Sequence, residues 1–428
     1  MAIICDLPYG NGFIPINLPV DQYQIDLIYP QKLLSNSSDN SRLVQEAIES
    51  PLGCKFPFSS LPSDTQIAIV VNDKTRPVPN TELVFPLLQF LHENNIQKSN
   101  IHFFVASGTH LPMTAEELPL VLGNEIPNTY PVHIHDCDQK DNLCEIGITS
   151  RGTPVYVNRQ FYESNIKIVV GDIELHHFAG FSGGVKSAAI GMSGRSTINH
   201  NHKLLLDPKS TLGEYEQNPL RQDIEEIGQL MEVQFALNAV IDEHKHLISV
   251  FFGDPKTVMR EGIRIVRKLS QIEIEQPYDL VIASAGGYPK DINLYQAQKA
   301  MTHASLFCKP GGLIVLAAEC REGAGSEGFL NFMNNVNDLA DIFTEFAARE
   351  FSVGPHKAFQ IARILERNPV YLHASVNPEM TSRLFLTPID LFSNNFNDLI
   401  QSHVPPDGRI AILPYATACI PSFIGENL

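Results

Sequence analysis

The sequence predicts an α/β protein of two domains with mostly parallel sheets and an active site in the cleft between them. Three observations carry that expectation. The chain has 428 residues, more than one ordinary core organises. Short apolar β-rich runs alternate with polar loops and helix-length segments, the pattern of strand, crossover helix and parallel strand. The alternation restarts after the polar stretch IEIEQP at Ile272. This places the boundary near residue 272, with an N-terminal domain over 1–271 and a C-terminal domain over 272–428.

Residues 2 to 30 alternate apolar and polar positions with Gly and Pro punctuation, which predicts a short antiparallel element. A helix is expected around Ser41 to Glu49. The run Gln66 to Val71 (QIAIVV) is apolar on both faces, as in a buried parallel strand. It ends in DKTRPVP from Asp73, and a helix over Thr81 to Glu93 follows with Asn80 as its N-cap. The next strand, Ile101 to Ala106, ends in SGTH at His110 and leads to a helix around Thr114 to Val121. Short strands near Val132 and Val155 precede Ile166 to Val170 (IKIVV), which runs into DIELHHFAGFSGGVKS. Residues 203 to 233 read as helical. Strands over Phe235–Ile241 and Leu247–Phe252 and an amphipathic helix over Thr257–Leu269 complete the first domain. In the second, strands start at Asp279, Leu313, Val370 and Arg409, with helices over Asn293–Phe307, Val336–Glu350 and Ala358–Arg367.

Composition narrows the function. A net charge of -17 and a pI near 5.3 do not suit a nucleic-acid backbone or an anionic membrane. An anionic substrate must therefore be met by a few local cations. The start MAIICDLPYGNG has neither a basic n-region nor a long apolar core, and no run reaches the ~18 apolar residues of a bilayer span. Seven scattered cysteines suit reduced thiols in the cytoplasm.

Chemistry-bearing residues collect just after the predicted strands: Asp73 and Arg76, His110, and His176, at the edge where open α/β sheets bind ligands. GFSGGVKS from Gly180 has a Walker A outline, but Val185 replaces its second Gly and resists the backbone that cradles phosphate. Lys186 after Gly183 and Gly184 is then either a surface lysine or a reactive amine. His176 and His177 alternate on a strand, so at most one faces a site. Each histidine alone is more often structural than catalytic. His200 and His202 are candidate metal ligands, yet two nitrogens make a weak metal site. Arg76 and Lys299 are candidates for anion capture, and Asp73 is placed to orient Arg76 or a histidine. Tyr295 and Lys299, four apart, share a helix face with Gln296 beside them.

The sequence resembles the nickel-pincer lactate racemase family over nearly its whole length. The likeness rests on DLPYG at Asp6, DKTRPVP at Asp73, ASGTHLP at Ala106, HHFAGFSGGVKS at His176, INHNH at Ile198, GGYPKDINLYQAQKAM at Gly286, REGAGSEGF at Arg321 and ARIL at Ala362. It implies a nickel-pincer nucleotide (a pyridinium-3-thioamide-5-thiocarboxylic acid mononucleotide with nickel) attached at Lys186, with His202 as the protein's nickel ligand. It implies His110 and His176 as the acid/base pair. Arg76, Gln296 and Lys299 would hold the substrate carboxylate, supported by Asp73 and Tyr295. Ser182, Gly183 and Gly184 are expected near the cofactor phosphate. The reaction implied is inversion at C2 of a 2-hydroxy acid through a planar 2-keto acid, in a protein served by cofactor-synthesis partners. Members usually carry a Trp shortly before the ARIL helix. This chain has no Trp, and His356 and Lys357 stand in that region, which favours a bulkier or more polar 2-hydroxy acid than lactate. Two rivals remain on the residues alone: a Schiff-base lyase using Lys186, and a carboxylate-binding protein without catalysis.

Overall fold

A computed structural model describes residues 2–19, 22–32, 39–54, 61–62, 64–76, 78–110, 112–242, 245–349, 351 and 354–424. Pro77 and Leu111 of the motifs above lie outside them. The chain divides into two compact units, one of residues 33–267 and one joining residues 1–32 to 268–428.

The unit of residues 33–267 is built on a six-stranded sheet. Its strand order is Leu247–Gly253, Phe235–Ile241, Ile166–Asp172, Ile67–Asn72, Ile101–Ala106, Val132–Ile134. All neighbours are parallel except Phe235–Ile241 with Leu247–Gly253. The two central strands are apolar on both faces because helices cover both: every residue of Ile166–Asp172 is buried, as are the first five of Ile67–Asn72. One core joins Val44, Leu83, Leu87 and Leu91 from helices to Ile69, Phe103 and Ile168 from the sheet. From Ile67–Asn72 the chain winds outward through Ile101–Ala106, then returns to the other side for Ile166–Asp172. That reversal is a topological switch point, where the loops after adjacent strands part and leave a crevice.

The other unit has a six-stranded sheet in the order Thr387–Pro388, Val370–His373, Cys308–Ala317, Tyr278–Ser284, Arg409–Leu413, Gln24–Leu27, parallel throughout. Here the division differs from the sequence expectation. Residues 1–32 do not belong with 33–271. Gln24–Leu27 adds a parallel strand to Arg409–Leu413, in register Gln24 to Arg409. The hairpin Ala2–Tyr9/Gly12–Pro19 is the antiparallel element foreseen, but Leu7, Ile16 and Leu18 pack with Leu280 and Ile412. The physical cause is an open sheet edge filled by chain from far away in sequence, which no local periodicity reports.

Other elements shift locally. Asn80 is the first residue of helix Asn80–Glu93 rather than its cap; Pro79 precedes it and makes no side-chain cap bond. The expected helix at Thr114 is broken into short turns over Ala115–Glu117, Pro119–Leu122 and Glu125–Thr129 by Pro119 and Gly123. The stretch 203–233 is not one helix: Arg195–Lys203 ends there, and Pro219–Leu230 begins only after Asn218, whose side chain caps Arg221 N. Helices Leu339–Ala348 and Pro355–Leu365 start and end near the predicted bounds, and His356 and Lys357 lie in the first turn of the ARIL helix rather than before it. No helix among the described residues is long and apolar enough to cross a membrane.

Candidate active site

The turn after Ile67–Asn72 is shaped by Asp73. Its Oδ1 accepts from Thr75 N at 3.0 Å and Thr75 Oγ1 at 2.6 Å, closing a local turn around the carboxylate. Its Oδ2 lies 2.7 Å from His110 Nδ1. Asp73 is buried, at 3 % exposure. Burial opposes its ionisation, but His110 and the two Thr75 donors outweigh burial and hold the carboxyl below its usual value. A carboxylate can only accept, so His110 carries a hydrogen on Nδ1, which leaves Nε2 as the acceptor whenever the ring is neutral. Asp73 therefore orients His110, not Arg76. Arg76 instead reaches Glu174, with Nη1 3.4 Å from Oε1.

His176 is built the opposite way. It sits in the two-residue strand Leu175–His176, paired with Gly180–Phe181, and is buried at 6 % exposure. Its Nδ1 accepts the Ala179 N–H at 3.2 Å, so the neutral ring carries its hydrogen on Nε2. His177 stacks on it with centroids 4.6 Å apart, and Phe178 meets it edge-on at 4.6 Å. Phe178 in turn meets His202 edge-on at 5.3 Å, which ties the candidate metal ligand to the catalytic candidate through one ring. His110 follows the strand on one side of Ile67–Asn72 and His176 the strand on the other, so the two flank the Asp73 turn at the switch point.

The glycine turn carries Lys186, and two of its amides are bonded within the protein. Ser182 N donates to Glu174 O at 2.9 Å, and Gly184 N to Asn238 Oδ1 at 2.6 Å. Arg221, fully buried and paired with Glu225, donates to Phe181 O and Gly183 O at 3.0 Å each. Gly183 is needed for packing: a Cβ there would lie 2.6 Å from Ile173 Cγ1 and 2.9 Å from Asp172 O, at φ +85°. Ser182, Gly183 and Gly184 thus serve as a strap that raises Lys186 to the start of a one-turn helix, Lys186–Ala189.

Sequence reasoning passed over Asp172 and Glu174, which complete a charged cluster with Arg76 and Lys186. Asp172 is buried and its Oδ2 has no hydrogen-bond partner. Burial first, then the neighbouring Glu174, push its carboxyl up to about 7 against the pull of Arg76 and Lys186. The signal was available: an acidic residue closing a mostly apolar strand.

In the other unit, Asn293 caps helix Leu294–Phe307 by accepting from Gln296 N. Lys299 Nζ donates to Gln296 Oε1 at 2.7 Å, bringing these two candidates together. Tyr295, one turn before Lys299, meets the ring of His356 edge-on at 6.1 Å and lies beneath Lys357 Nζ at 4.8 Å.

A lysine on a rigid turn suits covalent attachment, and a half-buried histidine suits a single metal ligand. Among the described residues the one group of three close His, Cys, Asp or Glu donors is Asp136, Cys137 and Asp138, and Asp138 is spent on Arg195 at 2.6 Å. A metal at His202 would therefore draw its other ligands from a bound group.

Titratable side chains gathered at the strand ends of a parallel sheet suit an α/β enzyme. The chain matches the lactate racemase N-terminal domain over residues 9–213 and the lactate racemase C-terminal domain over residues 274–420, and it belongs to the lactate racemase family. It is 30% identical over 421 residues to a lactate racemase of Thermoanaerobacterium thermosaccharolyticum, covering 97% of this chain and 98% of that protein. It is 31% identical over 390 residues to a lactate racemase of Lactiplantibacillus plantarum, covering 90% and 92%. The structure of the lactate racemase apoprotein from T. thermosaccharolyticum superposes with a TM-score of 0.89 at 29% identity, covering 98% of this chain and all of that one. A Thermotoga maritima protein shares the fold, with a TM-score of 0.66 at 17% identity over 92% of this chain and all of that one.

Proposed function

We propose that this enzyme inverts the C2 centre of a 2-hydroxy acid, as a racemase or epimerase. The observation that carries the reading is the 2.7 Å bond from His110 to the buried Asp73, across the switch point from His176. The α-hydrogen of a 2-hydroxy carboxylate is a poor acid, so its loss as a proton is costly. Its loss as hydride is easier when the hydroxyl is deprotonated at the same time. The nickel-pincer nucleotide, attached at Lys186 and ligated by His202, supplies the hydride acceptor when bound. Lys186 is supplied with it by cofactor-synthesis proteins in the cytoplasm, a setting that suits the free cysteines.

His110 takes the hydroxyl proton at Nε2, and Asp73 stabilises the imidazolium that forms. The two enantiomers direct their hydroxyls to opposite sides when the carboxylate and the departing hydride are both fixed, so a second group is required for the other hand. His176 is that group. It offers Nε2–H as a donor in the present arrangement, and the tautomer with its hydrogen on Nδ1, formed at the expense of the Ala179 contact, makes Nε2 the proton acceptor. Arg76, Gln296 and Lys299 bind the substrate carboxylate. Arg76 must exchange Glu174 for it, and the 3.4 Å length of that contact makes the exchange inexpensive.

The test uses protein made together with the cofactor-synthesis machinery. Intact mass should show Lys186 modified and metal analysis should show nickel; an unmodified Lys186 sinks the reading. Because enantiomers are equal in free energy, kcat/KM must fall equally in both directions in any variant. His110→Ala and His176→Ala should each lose about 10²–10⁴-fold. Single-turnover mixing should then separate the roles: each variant should still form trappable 2-keto acid from one enantiomer, and the two variants from opposite ones.

A further inference from the structure

Helix Arg195–Lys203 carries Asn201 and, next to it, His202. Asn201 is fully buried, and its amide is held in one orientation. Its Nδ2 donates to Leu220 O at 3.0 Å and to Asp223 Oδ2 at 2.9 Å. A backbone carbonyl can only accept, so the amide nitrogen must lie on that side. The amide oxygen therefore points the other way, where His202 Nδ1 stands 3.2 Å from it. An amide oxygen also only accepts. His202 thus donates from Nδ1, and Nε2 is the acceptor of the neutral ring. Phe178 meets the same ring edge-on at 5.3 Å.

Asp223 is what fixes Asn201. It is fully buried on helix Pro219–Leu230 and accepts from three side chains. Thr149 Oγ1 donates to its Oδ1 at 2.6 Å, Thr153 Oγ1 to its Oδ2 at 2.9 Å, and Asn201 completes the set. The two threonines are themselves tied across a turn: Thr149 N donates to Thr153 O at 2.9 Å and Thr153 N to Thr149 Oγ1 at 3.1 Å. A buried polar cluster of this kind costs stability unless every partner is in place, and apolar side chains would fill the space at lower cost. This one ends on a ring nitrogen of His202. We infer that Asn201 is a positioning residue for the nickel ligand. Its oxygen takes the Nδ1 hydrogen of His202, and Asp223 keeps that oxygen aimed, so that Nε2 is left with its lone pair for the metal. Holding a metal-bound histidine from its other nitrogen fixes both its tautomer and its ring orientation. The inference rests on the proposed role of His202 and adds what orients it.

The experiment uses enzyme made together with the cofactor-synthesis machinery and follows nickel loss to EDTA alongside intact mass. In Asn201→Ala with Lys186 modified, nickel should leave about 10–100-fold faster than from the wild type. In the exchanged pair Asn201→Asp/Asp223→Asn, the carboxylate accepts from both His202 and the amide, so nickel loss should return close to the wild-type rate. Thr197→Val is the control. It removes the bond of Thr197 Oγ1 to Pro154 O, 2.7 Å long, and loosens the same helix without touching His202, so its nickel loss should match the wild type's. Nitrogen NMR of the histidine-labelled full chain before cofactor loading reads the tautomer directly, with the His202 signal assigned by His202→Gln. Hydrogen on Nδ1 is expected. Unchanged nickel loss in Asn201→Ala, no rescue by the folded exchanged pair, or equally fast loss in Thr197→Val overturns the positioning role. If Asn201→Ala does not fold, the tautomer decides, and a hydrogen on Nε2 overturns the role. Wild-type enzyme with neither nickel nor a modified Lys186 overturns the proposed cofactor, and the positioning role falls with it.

Discussion

Asp73 and Asp172 end neighbouring strands of one sheet, yet their surroundings drive them to opposite protonation behaviour. Asp73 gains donors from His110 and Thr75 and is held ionised. Asp172 has burial and Glu174 against it and is pushed up to about 7. The sign for stability follows from linkage. A carboxyl whose pKa is higher folded than unfolded binds more protons in the native state, so stability falls as pH rises from the unfolded value near 3.8 to about 7. Asp172→Asn removes that penalty. Its melting temperature should exceed the wild type's by a few degrees at pH 8, and the gap should close at pH 4; a gap independent of pH would contradict the assignment. The sequence disclosed Asp73, His110 and His176 because each directly follows a strand. It could not disclose which nitrogen of each ring is bonded, since that depends on Ala179 and Asp73 in space.

The strap Gly180–Gly184 shows how one element can look like another. Its Walker A outline is spacing alone; the three-dimensional demand is close packing. A Cβ on Gly180, at φ +72°, would fall 1.7 Å from Glu214 O, far inside van der Waals contact with a backbone oxygen that Asn218 Nδ2 also bonds. Gly180→Ala should cost about 2 kcal/mol or more in urea unfolding, since the clash is with backbone and not with a side chain that can turn away. A loss under about 0.5 kcal/mol would mean the strap is looser than its bonds to Arg221 and Asn238 indicate. The strands and the long helices were legible because their apolar periods run for whole turns. The region from residue 203 to 218 was not, because its polar composition is equally compatible with helix and loop, and Asn218 and Pro219 decide where the helix begins.

For the whole molecule, the alternation of strands and helices in the sequence was enough for two parallel α/β sheets, and the structure has both. The membership of residues 1–32 was not legible, because a strand reports its own faces and not its partner. Deleting residues 1–32 should strip an edge strand and the hairpin from the Leu280–Ile412 core. The unit of residues 268–428 should then lose protection in limited proteolysis, while residues 33–267 keep theirs. Equal protection of both would contradict this division. The pairing of Gln24 with Arg409 also has a temporal side. On the ribosome, residues 33–267 can complete their own contacts as soon as they emerge. The strand Gln24–Leu27 must wait with its edge unpaired until almost the entire chain has been made, at ~5–20 residues per second. During that wait it is a free template for misassociation, and a chaperone's hold on the first thirty residues would matter more to yield than any later one.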